Sequence, residues 1–228
     1  MKRVSRVLNR GFGRLSAALL AMLLLGTAAR AQGGIESWAA LQAAIDGAGS
    51  GDVISLTEDL TAREADKGLT IPTGKRVTLD LNGHTLDRNM KEIGELGSAI
   101  YIEAGAILTL RDSGGGGIIT GGCFDYGGGI VNRGALIMEG GCITGNLGRD
   151  DGGGLSNRGT MLLMGGSVTG NTSLKLGGGL YNHDNGQLTI FGDIVYGNSD
   201  PQDAEIFNKG VMTRIGPTPG AVQFEEMP

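Results

Sequence analysis

Residues 127–146 read GGGIVNRGALIMEGGCITGN, residues 152–171 read GGGLSNRGTMLLMGGSVTGN, and residues 177–198 read GGGLYNHDNGQLTIFGDIVYGN. The glycine triplets that open these stretches lie 25 residues apart, at Gly127, Gly152 and Gly177. A repeat of this length is typical of solenoid proteins, in which each repeat forms one coil of a continuous stack. The pattern predicts one coil for each repeat.

Within each repeat, an aliphatic residue and an asparagine two positions later fall on the same side of a strand. The aliphatic residues are Ile130, Leu155 and Leu180, and the asparagines are Asn132, Asn157 and Asn182, with Asn208 as a fourth in a later echo of the motif. Stacked inward asparagines can pair their amides from coil to coil, which satisfies polar groups that are costly to bury. The residues between them vary in polarity, and we interpret them as outward positions free of constraint. They are Val131, Ser156 and Tyr181.

Short strands joined by glycine-rich corners and stacked about 4.8 Å apart form a parallel β-helix. The predicted fold class is therefore all-β, a right-handed parallel β-helix (solenoid) with a short N-terminal capping helix. The right hand is expected because parallel crossovers almost always have it. The predicted helix spans Ser37 to Gly47, with Ser37 as its N-cap and Trp38, Leu41 and Ile45 on one face. We interpret Trp38 as part of this cap rather than as a sugar-stacking residue.

The repeat GGG(I/L)xN…GGxITGN, together with the opening SWAALQAAIDGAGSGDVISL and VTLDLNGHTL, resembles the right-handed parallel β-helix proteins of the pectin-lyase-like superfamily. More narrowly, it is similar to the bacterial surface and adhesin-like members with repeats rich in glycine and asparagine. The resemblance covers roughly Ile35 to Gly216. It implies the fold, but that superfamily contains lyases, hydrolases and adhesins, so it does not imply one chemistry.

The chain begins with features of an export signal. Basic residues precede the apolar run from Leu15 to Leu25, and Ala29-Arg30-Ala31 matches a signal-peptidase site. We therefore predict a signal peptide at residues 1–31, a β-helix domain at residues 32–216 with clear repeats at 127–198, and an unordered tail at residues 217–228. The expected location is extracellular or at the cell surface, with no transmembrane segment in the mature chain.

Removal of the predicted signal peptide changes the charge balance. It takes six of the 19 lysines and arginines and none of the 24 acidic residues, which leaves 13 basic and 24 acidic residues and a net charge of −11. Such an acidic chain is not expected to bind nucleic acid. Cys123 and Cys142 lie in an exported chain, but the predicted coil register places Ile118 opposite Cys142, so we expect two free thiols.

Catalytic motifs are missing from the sequence. Pectin-lyase-like hydrolases resemble one another in an N-T-D, D-D, G-H-G, R-I-K series, and the only match is the isolated pair Asp150-Asp151. We predict no catalytic residue, no metal site and no cofactor, with calcium as the open exception.

Two groups of side chains remain as candidate sites. A basic or potentially basic residue follows each ladder asparagine, and these residues should form one column if the coils stack in register. The basic column consists of Arg133, Arg158, His183 and Lys209. Like charges at this spacing need solvent, acidic neighbours or an anionic ligand. The column is a candidate ligand-binding site, and the alternative is four side chains that extend into water.

The second group is acidic. Asp125 and Asp150 precede glycine triplets one repeat apart, and Asp151 is adjacent; we call these three residues the acidic corner. Converging carboxylates could hold calcium or act as a pair in glycoside hydrolysis. Lys175 occupies the aligned position in the third repeat, which favours a solvated turn.

These observations lead to two functional hypotheses. The first is a non-catalytic, adhesin-like protein that binds a polysaccharide or a surface glycoconjugate or serves as a structural module. The alternative is a polysaccharide lyase or glycoside hydrolase that acts on acidic polysaccharide, with the acidic corner facing Arg133 or Arg158 in one groove. Ice binding would need a flat threonine array; Thr144 and Thr169 align, but Tyr196 interrupts the column.

Overall fold

The computed structural model describes residues 34–95 and 97–216. The predicted signal peptide and the predicted C-terminal tail lie outside the described residues. Within them, the chain forms a parallel β-solenoid of about seven turns with one short helix before the first strand. The helix, α1, spans Trp38–Gly47. The strands belong to four sheets that run along the stack.

The strands are numbered in chain order across all four sheets. The seven-stranded sheet contains β1 (Asp52–Ser55), β4 (Arg76–Asp80), β7 (Ile107–Arg111), β11 (Ala135–Met138), β15 (Thr160–Leu163), β19 (Gln187–Phe191) and β21 (Val211–Ile215). The six-stranded sheet, called the ladder sheet below, contains β3 (Leu69–Ile71), β6 (Ile100–Ile102), β10 (Ile130–Asn132), β14 (Leu155–Asn157), β18 (Leu180–Asn182) and β20 (Ile206–Asn208). The five-stranded sheet contains β2 (Leu60–Thr61), β5 (Thr85–Asp87), β8 (Ile118–Thr120), β12 (Cys142–Ile143) and β16 (Ser167–Val168). The three-stranded sheet contains β9 (Cys123–Tyr126), β13 (Leu147–Asp151) and β17 (Thr172–Ser173).

The register between coils confirms the 25-residue repeat. Ile130 pairs with Leu155, which pairs with Leu180, and all pairings between neighbouring strands of the ladder sheet are parallel. These three side chains have no solvent exposure and belong to one apolar core that extends through the stack. The inward aliphatic positions of successive coils therefore supply the core, as the alternation predicts.

The predicted capping helix is also confirmed. The Ser37 side chain accepts a hydrogen bond from the Ala40 amide at 3.1 Å, as an N-cap residue does. Trp38 is buried, and its indole N–H donates to the Lys67 carbonyl at 2.7 Å. The side-chain amide of Gln42 donates to the Thr70 carbonyl and accepts from the Thr70 amide, so it takes the place of a neighbouring strand at the edge of β3. The helix thus covers one end of the stack.

An asparagine ladder runs through the ladder sheet, as the sequence predicts. The amide nitrogen of Asn132 donates to Asn157 at 2.8 Å, Asn157 donates to Asn182 at 2.7 Å, and Asn182 donates to Asn208 at 2.7 Å. Asn132, Asn157 and Asn182 are completely buried. Each coil is therefore joined to the next by a side-chain hydrogen bond inside the stack.

A second ladder was not predicted. It uses the asparagine that closes each repeat: Asn146 donates to Asn171 at 2.9 Å, and Asn171 donates to Asn198 at 3.0 Å. The Glu205 carboxylate ends this ladder, since it accepts from the Asn198 side chain at 2.7 Å. The recurring TGN and YGN endings of the three repeats are the signal that could have revealed it.

The first glycine of each triplet lies close to the next coil. Gly152 has a φ of +56°, and a Cβ there would lie 3.2 Å from the Tyr181 amide nitrogen, one coil further on. Gly127 has a φ of +71°, and its Cβ would lie 2.9 Å from the Cβ of Ser156, one coil further on. Glycine is required here because it adopts positive φ and lets two backbones approach.

The close contact between neighbouring coils corrects the interpretation that the outward positions of the ladder strands are free of constraint. Val131, Ser156 and Tyr181 point away from the core, but they are not free of constraint, because each is less than 5% exposed. Gly127 lies against Ser156, and Gly152 lies against Tyr181. The His183 side chain contacts both Ser156 and Tyr181. The burial of outward positions therefore depends on contacts between coils. The alternation of residues within one strand does not predict these contacts.

The charged stretch from Leu60 to Gly68 begins as a strand, because its first residues form β2 and Leu60 is buried against the core. Cys142 pairs in register with Ile118, as predicted, and both cysteines are free.

Candidate functional site

The basic column lies at the ends of four successive strands of the ladder sheet. The backbone amide of Arg158 donates to the Asn132 carbonyl at 2.8 Å, that of His183 to Asn157 at 2.9 Å, and that of Lys209 to Asn182 at 2.8 Å. The Arg133 amide continues the series by donating to Ile102 in the coil before. The four residues therefore occupy successive rungs, with about 4.8 Å between neighbours.

Each side chain of the basic column leans toward the coil that precedes it. The Arg133 guanidinium lies 5.6 Å from the centre of the Tyr101 ring, and the Arg158 guanidinium lies 5.5 Å from that of Tyr126. Both distances are within the range of a cation–π contact. The guanidinium groups thus lie over aromatic rings that hold them in place.

The last two rungs lean in the same direction through polar contacts. His183 Nε2 lies 2.9 Å from the Ser156 hydroxyl, and the Tyr181 hydroxyl beside the Lys209 ammonium raises the pKa of Lys209. Tyr181 packs between the ring of His183, at 4.3 Å, and the ring of Phe207, at 5.1 Å between centroids. The column therefore keeps the register of the strands beneath it.

The sequence arranges these contacts through the middle position of each ladder strand. Tyr101, Ser156 and Tyr181 occupy that position in β6, β14 and β18, and each contacts the basic residue one coil later. Val131 takes the position in β10 and offers no polar or aromatic group, so Arg158 instead lies over Tyr126 of β9. These supporting residues were not identified from the sequence as part of the site.

His183 is neutral at ordinary pH. Its burial lowers the pKa from 6.5 to about 4, and the positive charge of Arg158 acts in the same direction, as do Lys209 and Arg133 more weakly. Asp184 opposes this change. The column therefore consists of two guanidinium groups, a neutral imidazole and an ammonium group.

Asp151 is the member of the acidic corner that faces the basic column. Its carboxylate lies 3.6 Å from His183 Nε2, and its side chain is 16% exposed. Burial raises the pKa of this carboxyl group, with Arg158 the main opposing influence and Lys209 a weaker one. Asp151 thus adds a partly buried carboxyl group beside His183, the third rung of the column.

Ser156, His183 and Asp151 do not form a catalytic triad. The serine hydroxyl and the carboxylate both face Nε2 of the imidazole, whereas a triad needs them on opposite nitrogens. Ser156 is also completely buried, so its hydroxyl cannot meet a substrate. The arrangement orients His183 and does not supply a nucleophile.

The other two carboxylates of the acidic corner are engaged elsewhere. Asp125 forms an ion pair with Arg149 at 2.6 Å, and Asp150 pairs with Lys175, the residue that breaks the acidic pattern. In residues 34–95 and 97–216, no group of three or more acidic, histidine or cysteine side chains is arranged to hold a metal ion. The acidic corner therefore separates into two ion pairs and Asp151.

The three charged residues of the basic column, Arg133, Arg158 and Lys209, differ from some other cations of the described coils in their distance from the nearest carboxylate. Arg111, Arg149 and Lys175 each have a carboxylate within 4 Å. Among the described residues, no carboxylate lies that close to Arg133, Arg158 or Lys209, although all three are exposed. This surface therefore presents unpaired positive charge on a chain whose predicted mature form is acidic.

Comparisons with protein-family models, with curated proteins and with solved structures found no match. In the part of the chain that the structure describes, no helix has the length and apolar character needed to cross a membrane.

Proposed function

We propose that this protein is an exported, non-catalytic binding protein whose β-solenoid presents the basic column to acidic glycans at a cell surface or in the extracellular medium. The observation that carries the proposal is the stack of Arg133, Arg158 and Lys209 on one lateral face without carboxylate partners among the described residues. Guanidinium groups bind carboxylate and sulfate well because their fork of donors matches these planar or multidentate anions.

The same proposal includes a right-handed coil and membership of the pectin-lyase-like superfamily, in its adhesin-like branch. Its support is the resemblance of the glycine and asparagine repeats and of the opening segment. Export is supported by the basic leader, the apolar run and the cleavage motif in residues 1–31. Nucleic acid is not a proposed partner because the remaining chain has a net charge of −11.

One observation favours the enzymatic alternative, a lyase or hydrolase acting on acidic polysaccharide. Asp151 has a raised pKa and lies beside His183 within the electrostatic influence of Arg158, as an acid or base near a substrate-binding cation would. The binding role is the preferred proposal because Asp125 and Asp150 are engaged in ion pairs and do not join Asp151 in one groove.

A glycan array on the purified protein, with and without calcium, tests the proposal. We expect binding to acidic glycans that weakens strongly in the double variant Arg133→Ala/Arg158→Ala. The matched control is Arg63→Ala/Lys91→Ala, which removes the same charge from exposed positions outside the column. Equal binding by both double variants would contradict the proposal, and shortened or unsaturated products among the eluted glycans would favour the enzyme.

A further inference from the structure

The charges of the basic column are not evenly spaced. Rungs one and two carry Arg133 and Arg158, rung three carries the neutral His183, and rung four carries Lys209. The two cations that flank the neutral rung, Arg158 and Lys209, are two rungs apart, or about 9.6 Å along the stack. One sugar of an extended glycan is close in length to one rung, so these two cations face alternate sugars of a glycan that follows the column.

The third rung disfavours an anion. Asp151 lies 3.6 Å from His183 Nε2 at this level, and Asp184 also acts on His183 and Lys209. An anionic sugar placed there would meet the Asp151 carboxylate and no cation on its own rung, which is a repulsive element against the wrong ligand. A neutral sugar would instead offer hydroxyl or amide groups to the imidazole and the Asp151 carboxylate.

We infer that the basic column selects linear glycans that carry an anionic group on alternate sugars, with a neutral sugar opposite His183 and anionic sugars opposite Arg158 and Lys209. This inference rests on the proposed function, because it assumes that a glycan follows the column. Arg133 lies outside this alternation, since the sugar opposite it is neutral. It therefore serves as an internal comparison for Arg158, with the same charge and a similar contact with a tyrosine ring.

The test uses two hexasaccharides in titration calorimetry at about 0.15 M salt, where exposed charges more than about 8 Å apart are screened. In one hexasaccharide, uronic acid alternates with N-acetylhexosamine; in the other, all six sugars are uronic acids. We expect the alternating hexasaccharide to bind about tenfold more tightly, although it has half the charge. Equal or tighter binding of the fully acidic hexasaccharide would overturn the inference.

Single substitutions locate the register. We expect Arg158→Ala and Lys209→Ala each to weaken binding of the alternating hexasaccharide by about tenfold, the effect of one lost charge-assisted contact. Arg133→Ala should change the affinity for the alternating hexasaccharide by less than about threefold, and equal losses for Arg133→Ala and Arg158→Ala would refute the alternation.

Asp151→Asn should improve binding of the fully acidic hexasaccharide by about tenfold. An unchanged affinity would show that Asp151 does not contribute to the selection against anionic sugars at the third rung.

The design separates this inference from the proposed function. If neither hexasaccharide binds, or if the triple variant Arg133→Ala/Arg158→Ala/Lys209→Ala binds as the wild type does, the basic column is not a glycan site and both statements fail. If both hexasaccharides bind through the column with equal affinity, the proposed function holds and the inference about alternation fails.

Discussion

Asn157 illustrates how a single buried side chain joins three coils. Its oxygen accepts from Asn132 and from the Gly159 amide, and its nitrogen donates to Asn182. Because the residue is completely buried, these groups have no access to water if their partner is removed. The ladder therefore stabilises the stack mainly by avoiding unpaired polar groups.

We predict that Asn157→Leu lowers the free energy of unfolding by about 1 to 3 kcal/mol, because it leaves neighbouring donors and acceptors of the ladder unpaired. Chemical denaturation of the two proteins measures the difference. The matched control is Asn185→Leu, which changes an exposed asparagine in the turn after β18. An unchanged midpoint for Asn157→Leu would contradict the ladder.

His183 should make stability depend on pH in a defined direction. The His183 pKa is about 4 in the folded chain and 6.5 in the unfolded chain, so between these pH values the unfolded chain binds more protons. Stability therefore rises with pH across this window and falls by about 3 kcal/mol as the pH decreases from 6.5 to 4. Asp151, with its raised pKa, acts in the opposite direction.

The variant His183→Gln isolates this contribution. We expect the difference in unfolding free energy between wild type and variant to decrease as the pH falls from 6.5 to 4, because the variant cannot take up the proton at this position. Thermal unfolding at several pH values measures the difference. A difference that is constant over the window would show that His183 is not held neutral by the fold.

At the scale of strands and turns, the glycine triplets determine how one coil lies on the next. Gly152 and Gly192 both have positive φ, at +56° and +73°. A Cβ at Gly152 would lie 2.1 Å from the Leu155 carbonyl oxygen of its own coil and 3.2 Å from the Tyr181 amide nitrogen of the next coil, whereas one at Gly192 would have no heavy atom within 4 Å. The two glycines therefore share a strained conformation but differ in the space beside it.

We predict that Gly152→Ala destabilises the protein by about 1 to 3 kcal/mol more than Gly192→Ala does, because only the first substitution also forces a steric overlap. Chemical denaturation of both variants measures this difference. Equal losses would mean that glycine is needed at position 152 for its backbone conformation alone and that the steric contacts around it contribute little.

The same scale shows what could be predicted from the sequence. The inward columns and the first asparagine ladder follow from one period and one alternation, as for Ile130 and Asn132, so both were predicted. The role of Tyr126 beneath Arg158 depends on two different sheets, and the ion pair of Asp125 depends on how β13 deviates in register beside β9. Such contacts arise between coils at places where the repeat is imperfect, and a periodic pattern does not contain them.

For the whole molecule, the stack converts a repeat in the chain into a line of side chains on one face. The predicted mature chain has a net charge of −11, while Arg133, Arg158 and Lys209 lie on three of four successive coils, with no carboxylate within 4 Å among the described residues. The net negative charge of the chain disfavours indiscriminate binding of polyanions. A local line of cations therefore allows selective binding of polyanions at the basic column. Both functional proposals depend on this line.

The most direct test of the line is a thiol cross-linking scan in a background with Cys123→Ser and Cys142→Ser. The reagent is dibromobimane, a short cross-linker that becomes fluorescent when both of its ends have reacted. We predict fluorescence for the pair Arg133→Cys/Arg158→Cys, whose positions are one rung or about 4.8 Å apart. The pair Arg133→Cys/His183→Cys, two rungs apart, should react much more weakly. Fluorescence from the second pair but not from the first would contradict the stacked column.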